Sequence, residues 1–324
     1  MTLRSLTASS LFVLTLVGGH AAAQGAGGWL DRMNRAVDEL DYRGTFIHLV
    51  DGTPEALNIV HRNVGGHSSE RILSADGPRR EIVRENDQVR WILPDRKLVL
   101  LETRKDVSPL VSALPSYSAD LEPHYEINLR ATARIANRPA QIVEIKPRDE
   151  FRYGYTLWLD QQTAMPLKSQ LIDERGRIVE QILFTQIDLV NDIAAAELAP
   201  TIDTAGFATL RPPEAETQTA GATPAEVPWR ASTVPGGFRL SAASQSPMPG
   251  SKYPVEHLVY SDGLATVSVF IEDPKAKAGV SDGFSKLGST NTFSLTFRGR
   301  KVTAVGEVPR HTVRTIASSL VSAK

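Results

Sequence analysis

No cysteine occurs anywhere in the chain. That excludes disulfides, thiolate metal sites, a thiol nucleophile and a lipid-bearing cysteine after an export signal. Stability must therefore come from packing. No apolar run approaches the roughly 20 residues that a bilayer needs, so nothing reads as a spanning helix. The standard catalytic signatures are missing as well: there is no G-x-S-x-G elbow, S-x-x-K pair, phosphate loop or H-E-x-x-H pair. Gly25-Ala26-Gly27-Gly28 is glycine-rich but follows no strand. His48, His61, His67, His124, His257 and His311 lack the close spacing of metal ligands. The expectation is a chain without catalytic residues, metal or cofactor, and not an enzyme.

The first 23 residues supply the compartment. Arg4 precedes an apolar run over 11–17, and Ala21-Ala22-Ala23 has the small-residue form of a signal-peptidase site. Residues 1–23 are expected to be removed on export, leaving a chain that starts near Gln24. About 300 residues remain, more than one ordinary core holds, which predicts two domains.

The pattern is mostly of strands. Trp29, Leu30, Met33, Val37 and Leu40 recur at helical spacing, and strand signals follow over 45–50, 56–61, 70–74, 80–84, 89–93 and 98–101. Residues 107–124 interrupt the run with Pro109, Pro115 and Pro123, and read as an insertion packing Leu110, Leu114 and Leu121 onto the sheet. An antiparallel meander over 134–184 completes it, turning at Asn137-Arg138-Pro139, Pro147-Arg148-Asp149 and Asp173-Glu174-Arg175-Gly176. A short helix over 193–198, stopped by Pro200, is expected to close the domain. Residues 211–228 are rich in Pro, Ala and Glu and read as a linker. Beyond them lie strands at 238–240, 257–260, 265–271, 292–297 and 301–306, then a helix over 309–321. The domains are thus 24–210 and 229–324.

Charge divides between them. Residues 24–210 hold 22 Lys+Arg against 28 Asp+Glu, whereas 229–324 hold 12 against 6. Such a dipole either holds the domains together or steers an acidic partner to the second. Arg79, Arg80 and Arg84 alternate with Glu81 and Glu85 and read as a solvated face. Arg298, Arg300, Lys301, Arg310 and Arg314 meet no acid before Glu307 and are candidates for partner contacts. Asp149-Glu150 and Asp173-Glu174 fall in turns, where solvation accounts for them. Nucleic acid does not suit an exported protein.

Phe46, Trp91, Tyr153, Tyr155 and Trp158 fall on strands. Packing in a sheet core is one reading. The other is a groove for an acyl chain, bordered by Phe46, Trp91, Leu93 and Trp158.

The strings Asp41-Tyr42-Arg43-Gly44-Thr45-Phe46, Glu70-Arg71 with Asp76-Gly77, and Arg152-Tyr153-Gly154-Tyr155-Thr156-Leu157-Trp158-Leu159-Asp160 resemble the RseB/MucB family of regulators. Leu167-Lys168-Ser169, Glu180-Gln181, the run from His257 to Ala265 and Val305-Gly306-Glu307-Val308-Pro309 extend the resemblance over nearly the whole mature chain. It implies an α+β protein of the periplasm. Its large N-terminal domain would be an unclosed antiparallel β-barrel covered by helices, like that of lipoprotein carriers, and its smaller C-terminal α+β domain would bind a partner. It also implies a function: binding the periplasmic part of a single-span anti-sigma factor, shielding it from proteolysis and so restraining the envelope-stress response. Lipopolysaccharide or lipoprotein acyl chains would release the grip. A periplasmic lipid or lipoprotein carrier is the alternative, and carriers of that type lack a second domain. Oligomeric state stays open, homo-oligomers included.

Overall fold

The computed structural model describes residues 25–103, 110, 114–115, 121, 123–211, 228–246, 254–273 and 281–322. The expected export segment, most of the expected 107–124 insertion and residues 212–227 of the expected linker lie outside them.

Helix α1 (Ala26–Glu39) forms because Leu30, Met33, Ala36 and Val37 share one stripe, and all four are buried. It starts ahead of Trp29, and Leu40 already has extended backbone. Eleven strands follow: β1 (Tyr42–Val50), β2 (Thr53–Val64), β3 (His67–Ser74), β4 (Glu81–Glu85), β5 (Gln88–Leu93), β6 (Leu98–Thr103), β7 (Tyr125–Ile135), β8 (Arg138–Pro147), β9 (Gly154–Asp160), β10 (Pro166–Ile172) and β11 (Ile178–Leu189). After them come α2 (Ala195–Leu198) and β12 (Ala208–Leu210).

These strands make one sheet in the order β12-β6-β5-β4-β3-β2-β1-β11-β10-β9-β8-β7. Two meanders, β1 to β6 and β7 to β11, are joined where β1 pairs with β11. The end strands β12 and β7 are not neighbours, so the barrel is unclosed. Strand β12, not foreseen in the sequence, runs parallel to β6, an exception in an otherwise antiparallel sheet. Glu81 explains how the chain returns there: buried on β4, it accepts hydrogen bonds from the backbone N–H groups of Thr201 and Ile202. Arg79 and Glu85 are exposed, but Glu81 and Arg84 are both buried, so the solvated-face reading is corrected for these two. The reason is the 199–202 segment, which covers Glu81, while Arg84 donates to the Asn86 carbonyl at 2.7 Å.

The smaller sheet contains β14 (Arg239–Ser246), β15 (Val255–Ser261), β16 (Thr266–Glu272), β17 (Gly283–Leu287), β18 (Thr290–Phe297) and β19 (Arg300–Gly306), in the order β14-β15-β16-β19-β18-β17. Helix α3 (Arg310–Ser318) lays Val313, Ile316 and Ala317 on a core of Leu258, Val267, Val269, Val302 and Ala304. The helix is shorter than the 309–321 expectation. Ser319 ends it: its hydroxyl donates to the Thr233 carbonyl at 2.7 Å and has the Ile316 carbonyl 3.0 Å away as the alternative acceptor, and serine side chains compete with helical backbone bonds in this way. Leu320–Ser322 then becomes β20 and pairs with β13 (Trp229–Ala231). The architecture is α+β, an unclosed barrel plus a smaller unit. No helix among the described residues is long and apolar enough to cross a membrane.

Candidate functional site

Residues opposite one another in an antiparallel sheet share a face, and neighbours along a strand alternate. That rule separates the four groove candidates. Trp91 lies opposite Ile82, Ile82 opposite Ile72, Ile72 opposite Ile59 and Ile59 opposite Gly44. Gly44 and Phe46 are two apart on β1, and Trp91 and Leu93 two apart on β5, so Phe46, Trp91 and Leu93 share a face. Trp158 lies opposite Lys168, Lys168 opposite Leu183 and Leu183 opposite Ile47. Its row alternates with that of Phe46.

The Phe46 face is the packed one. Phe46 stacks at a tilt on Phe184, with ring centroids 5.5 Å apart, and joins a core containing Val37 of α1, Ile59, Ile72, Ile82 and Leu110. Trp91 is half-buried against this core, and its indole N–H donates to Glu102 at 3.3 Å. Trp158 also touches the core but carries the Lys168 ammonium 4.3 Å from its ring centroid. Burial lowers the Lys168 pKa, as desolvation of a cation requires. Phe46 is core, whereas Trp91 and Trp158 keep accessible surface.

The five basic candidates also divide. Lys301 is buried and bonded to Asp282 at 2.7 Å, and Arg300 pairs with the buried Glu256 at 3.3 Å. Both contribute to the small sheet itself. Arg298 stands over Phe297 in a left-handed turn, and Arg310 lies 4.3 Å from the ring centroid of the partly exposed Phe284. Arg310 and Arg314 are exposed on α3.

Sequence reasoning missed a polar seam between the two sheets. Arg152, wholly buried, donates to Asp262 at 2.7 Å, to Asp149 at 3.0 Å and to the Gly236 carbonyl. The Tyr125 hydroxyl donates to the same Asp262 oxygen at 3.0 Å, while the Leu264 and Ala265 N–H groups bind the other. The carboxylate is thereby fully engaged, as a buried charge must be. Burial, with the Asp262 charge behind it, drives the Tyr125 pKa far up. Further along, Asn291 donates to the Tyr153 hydroxyl at 2.8 Å and Thr312 to the Phe151 carbonyl at 2.7 Å. Gly237 has φ of +85°, and a Cβ there would lie 2.4 Å from the His124 ring, so this approach requires glycine. A cavity of about 220 Å³ opens beside the seam, lined by Tyr125, Tyr153, Tyr155, Leu171, Leu264 and Glu307 among others. Burial raises the Tyr153 pKa to about 12. The available sequence signal was the Arg152-Tyr153 pair opening a motif, with nothing to indicate its partner.

Among the described residues no group of three or more His, Cys, Asp or Glu side chains is placed to hold a metal ion. What the described residues offer is an apolar sheet face, two exposed arginines on α3 and a polar seam.

Residues 25–202 match the family described as the MucB/RseB N-terminal domain, and residues 223–321 match the MucB/RseB C-terminal domain. The chain is 35% identical over 307 residues to the sigma factor AlgU regulatory protein MucB of Pseudomonas aeruginosa, covering 92% of this chain and 91% of that one. It is 29% identical to the sigma-E factor regulatory protein RseB of Salmonella typhimurium, covering 98% and 96%. The solved complex of Pseudomonas aeruginosa MucA/MucB is similar with a TM-score of 0.70 and 30% identity, over 92% of this chain and 99% of that one. The chain therefore belongs to the MucB/RseB family.

Proposed function

We propose that this protein acts in the periplasm as a negative regulator of an envelope-stress sigma factor, by binding the periplasmic part of a single-span anti-sigma factor. The observation that carries this reading is the likeness over both domains to a MucB chain solved together with MucA. Binding would shield the anti-sigma segment from the protease that begins its destruction. Exposed Arg310 and Arg314 on α3 and exposed Arg298 in the turn between β18 and β19 are the side chains proposed to meet it, within a C-terminal half that carries the excess of basic residues. Residues 1–23 serve as the export signal in this reading.

Release follows from competition. A ligand with an acyl chain, lipopolysaccharide or a lipoprotein, would occupy the face bordered by Phe46, Trp91 and Leu93 and favour the partner-free form. The shift is limited by the ligand's differential affinity for the two forms. Leu110 and Leu114 pack on this face, so entry requires them to yield. The test is titration of the mature protein with the anti-sigma periplasmic fragment by calorimetry, then protease digestion of the fragment with and without it. Saturable binding and slowed cleavage are expected, both reversed by lipopolysaccharide. Absence of binding would overturn the reading.

A further inference from the structure

We propose that Glu180, Ser289 and Glu307 form a proton-gated latch between the two domains. Glu180 projects from β11 of the large sheet. Ser289 sits in the turn between β17 and β18, and Glu307 directly follows β19. The buried Ser289 hydroxyl lies 3.0 Å from Glu180 Oε2 and is also bonded to Glu307 Oε1. The other Glu180 oxygen is 2.8 Å from His48 Nε2.

The hydrogen count decides how this cluster works. Three oxygens in a row make two contacts, and each contact needs a hydrogen. Ser289 supplies one, because a hydroxyl has a single proton to donate. The other must sit on a carboxyl group. Glu180 already has its other oxygen against His48 Nε2, which donates in the tautomer that suits a carboxylate partner, so Glu180 is suited to remain the acceptor, and Glu307 keeps the proton and donates it to Ser289. The serine hydrogen is then directed at Glu180 across the interface. Removing the Glu307 proton reverses the polarity. The new carboxylate takes the serine hydrogen, Glu180 faces an oxygen lone pair, and two negative carboxylates remain on one hydroxyl.

The surroundings favour the protonated form. Glu307 keeps exposed surface, yet partial desolvation of its carboxyl raises its pKa, the Ser289 bond opposes this, and the Glu180 charge raises it further against His48. The other titratable groups facing it are Tyr153 and Tyr155 on β9 of the large sheet, both held protonated by burial. Glu174 and Asp173 lie behind Tyr153. The serine is held in place from its own side: Gly288 has φ of +60°, and a Cβ there would come 2.8 Å from Val50 Cγ1. Lys286, on β17 just ahead of that turn, bonds Asp51 at 2.7 Å, so this end of the small sheet is seated against the β1–β2 hairpin.

The sign follows from linkage. Glu307 in the closed form has a raised pKa, so its contribution is complete below the ordinary glutamate range and disappears as pH rises through the raised value. Closure is favoured in acid and loosened toward alkaline pH. This device does not depend on which partner the protein binds.

Because the chain lacks cysteine, spin labels can be placed at one engineered site per domain, Asp192→Cys and Gln245→Cys, both exposed. Electron–electron distance distributions of the full mature chain would be recorded from about pH 5 to about pH 8, a range bracketing perturbed carboxyl groups. The parent should give a narrow distribution in acid and gain longer distances as pH rises. Glu307→Gln, whose amide donates to Ser289 at every pH, should stay narrow throughout, and Ser289→Ala should show the longer distances even in acid. A parent distribution that does not move with pH, or a Glu307→Gln protein that still moves with it, would overturn the latch.

Discussion

The Arg152 guanidinium of the large domain lies 2.7 Å from the Asp262 carboxylate of the small one, and both side chains are fully buried. The pair runs against the charge of the halves that contribute it: the cation comes from the acidic half and the anion from the basic half. Net charge does not explain this contact. Local completeness does, since Tyr125 and two backbone N–H groups finish the carboxylate and Asp149 and the Gly236 carbonyl finish the guanidinium. Tyr125 and Phe238 rings lie 5.4 and 5.2 Å from the guanidinium carbon, so the charge is sheltered by aromatic faces as well. The Lys286–Asp51 pair, by contrast, follows the net charge and is half exposed, where such pairs contribute little.

Arg152→Met should destabilise the domain interface by about 3–5 kcal/mol, because it leaves a buried carboxylate without its cation. Arg152→Lys should recover only part, since one ammonium cannot reproduce contacts made by three nitrogens. Denaturant unfolding of the three proteins gives the comparison, and a Met variant within about 1 kcal/mol of the parent would contradict it.

Glu81→Ala should release the segment after α2. The Thr201 and Ile202 N–H groups would lose their acceptor, at a cost of about 1–3 kcal/mol. Hydrogen exchange should accelerate over 199–210, including β12, and stay unchanged in β14 to β19. Uniform acceleration across both sheets would indicate global destabilisation instead.

His61 stacks on Tyr42 at 4.8 Å and bonds the Leu40 carbonyl and Ser68 hydroxyl at 2.9 and 3.0 Å. Burial lowers its pKa. The folded protein therefore binds fewer protons there than the unfolded chain, and stability falls as pH drops below about 6.5. A His61→Gln protein escapes this penalty, so its deficit relative to the parent should shrink on acidification. Urea midpoints of the pair across pH test this, and a constant difference would refute it.

Charge reversal at Arg310 and Arg314 should weaken binding of the anti-sigma fragment about tenfold or more and flatten its salt dependence, with unfolding unchanged. Lys301→Ala should do the opposite, lowering stability through loss of the Asp282 contact. Calorimetry at two salt concentrations, together with thermal melts, distinguishes them.

Trp91→Phe should abolish the fluorescence response to an acyl ligand, and Trp158→Phe should preserve it, because only Trp91 shares the Phe46 face. The reverse result would place the ligand on the Trp158 and Lys168 row.

Local pattern was legible in the sequence. Alternation from Thr45 to Leu101 and the Gly and Asp turns fixed most strands within a few residues, because side-chain period and turn chemistry are properties of neighbouring residues. The same holds for the stripe of Leu30, Met33 and Val37 in α1, and for the divide in charge. Tertiary structure decided what depends on distant residues: that Glu81 and Arg84 are buried, that Lys301 is consumed by Asp282, that β12 runs parallel to β6, and that Trp158 faces away from Phe46. The last of these turns on register, where one residue changes the face. Arg152 and Asp262 are 110 residues apart in sequence, and Glu180 and Ser289 are 109 apart. No spacing rule links such positions, and only the docking of the two sheets brings their charges and hydrogens together.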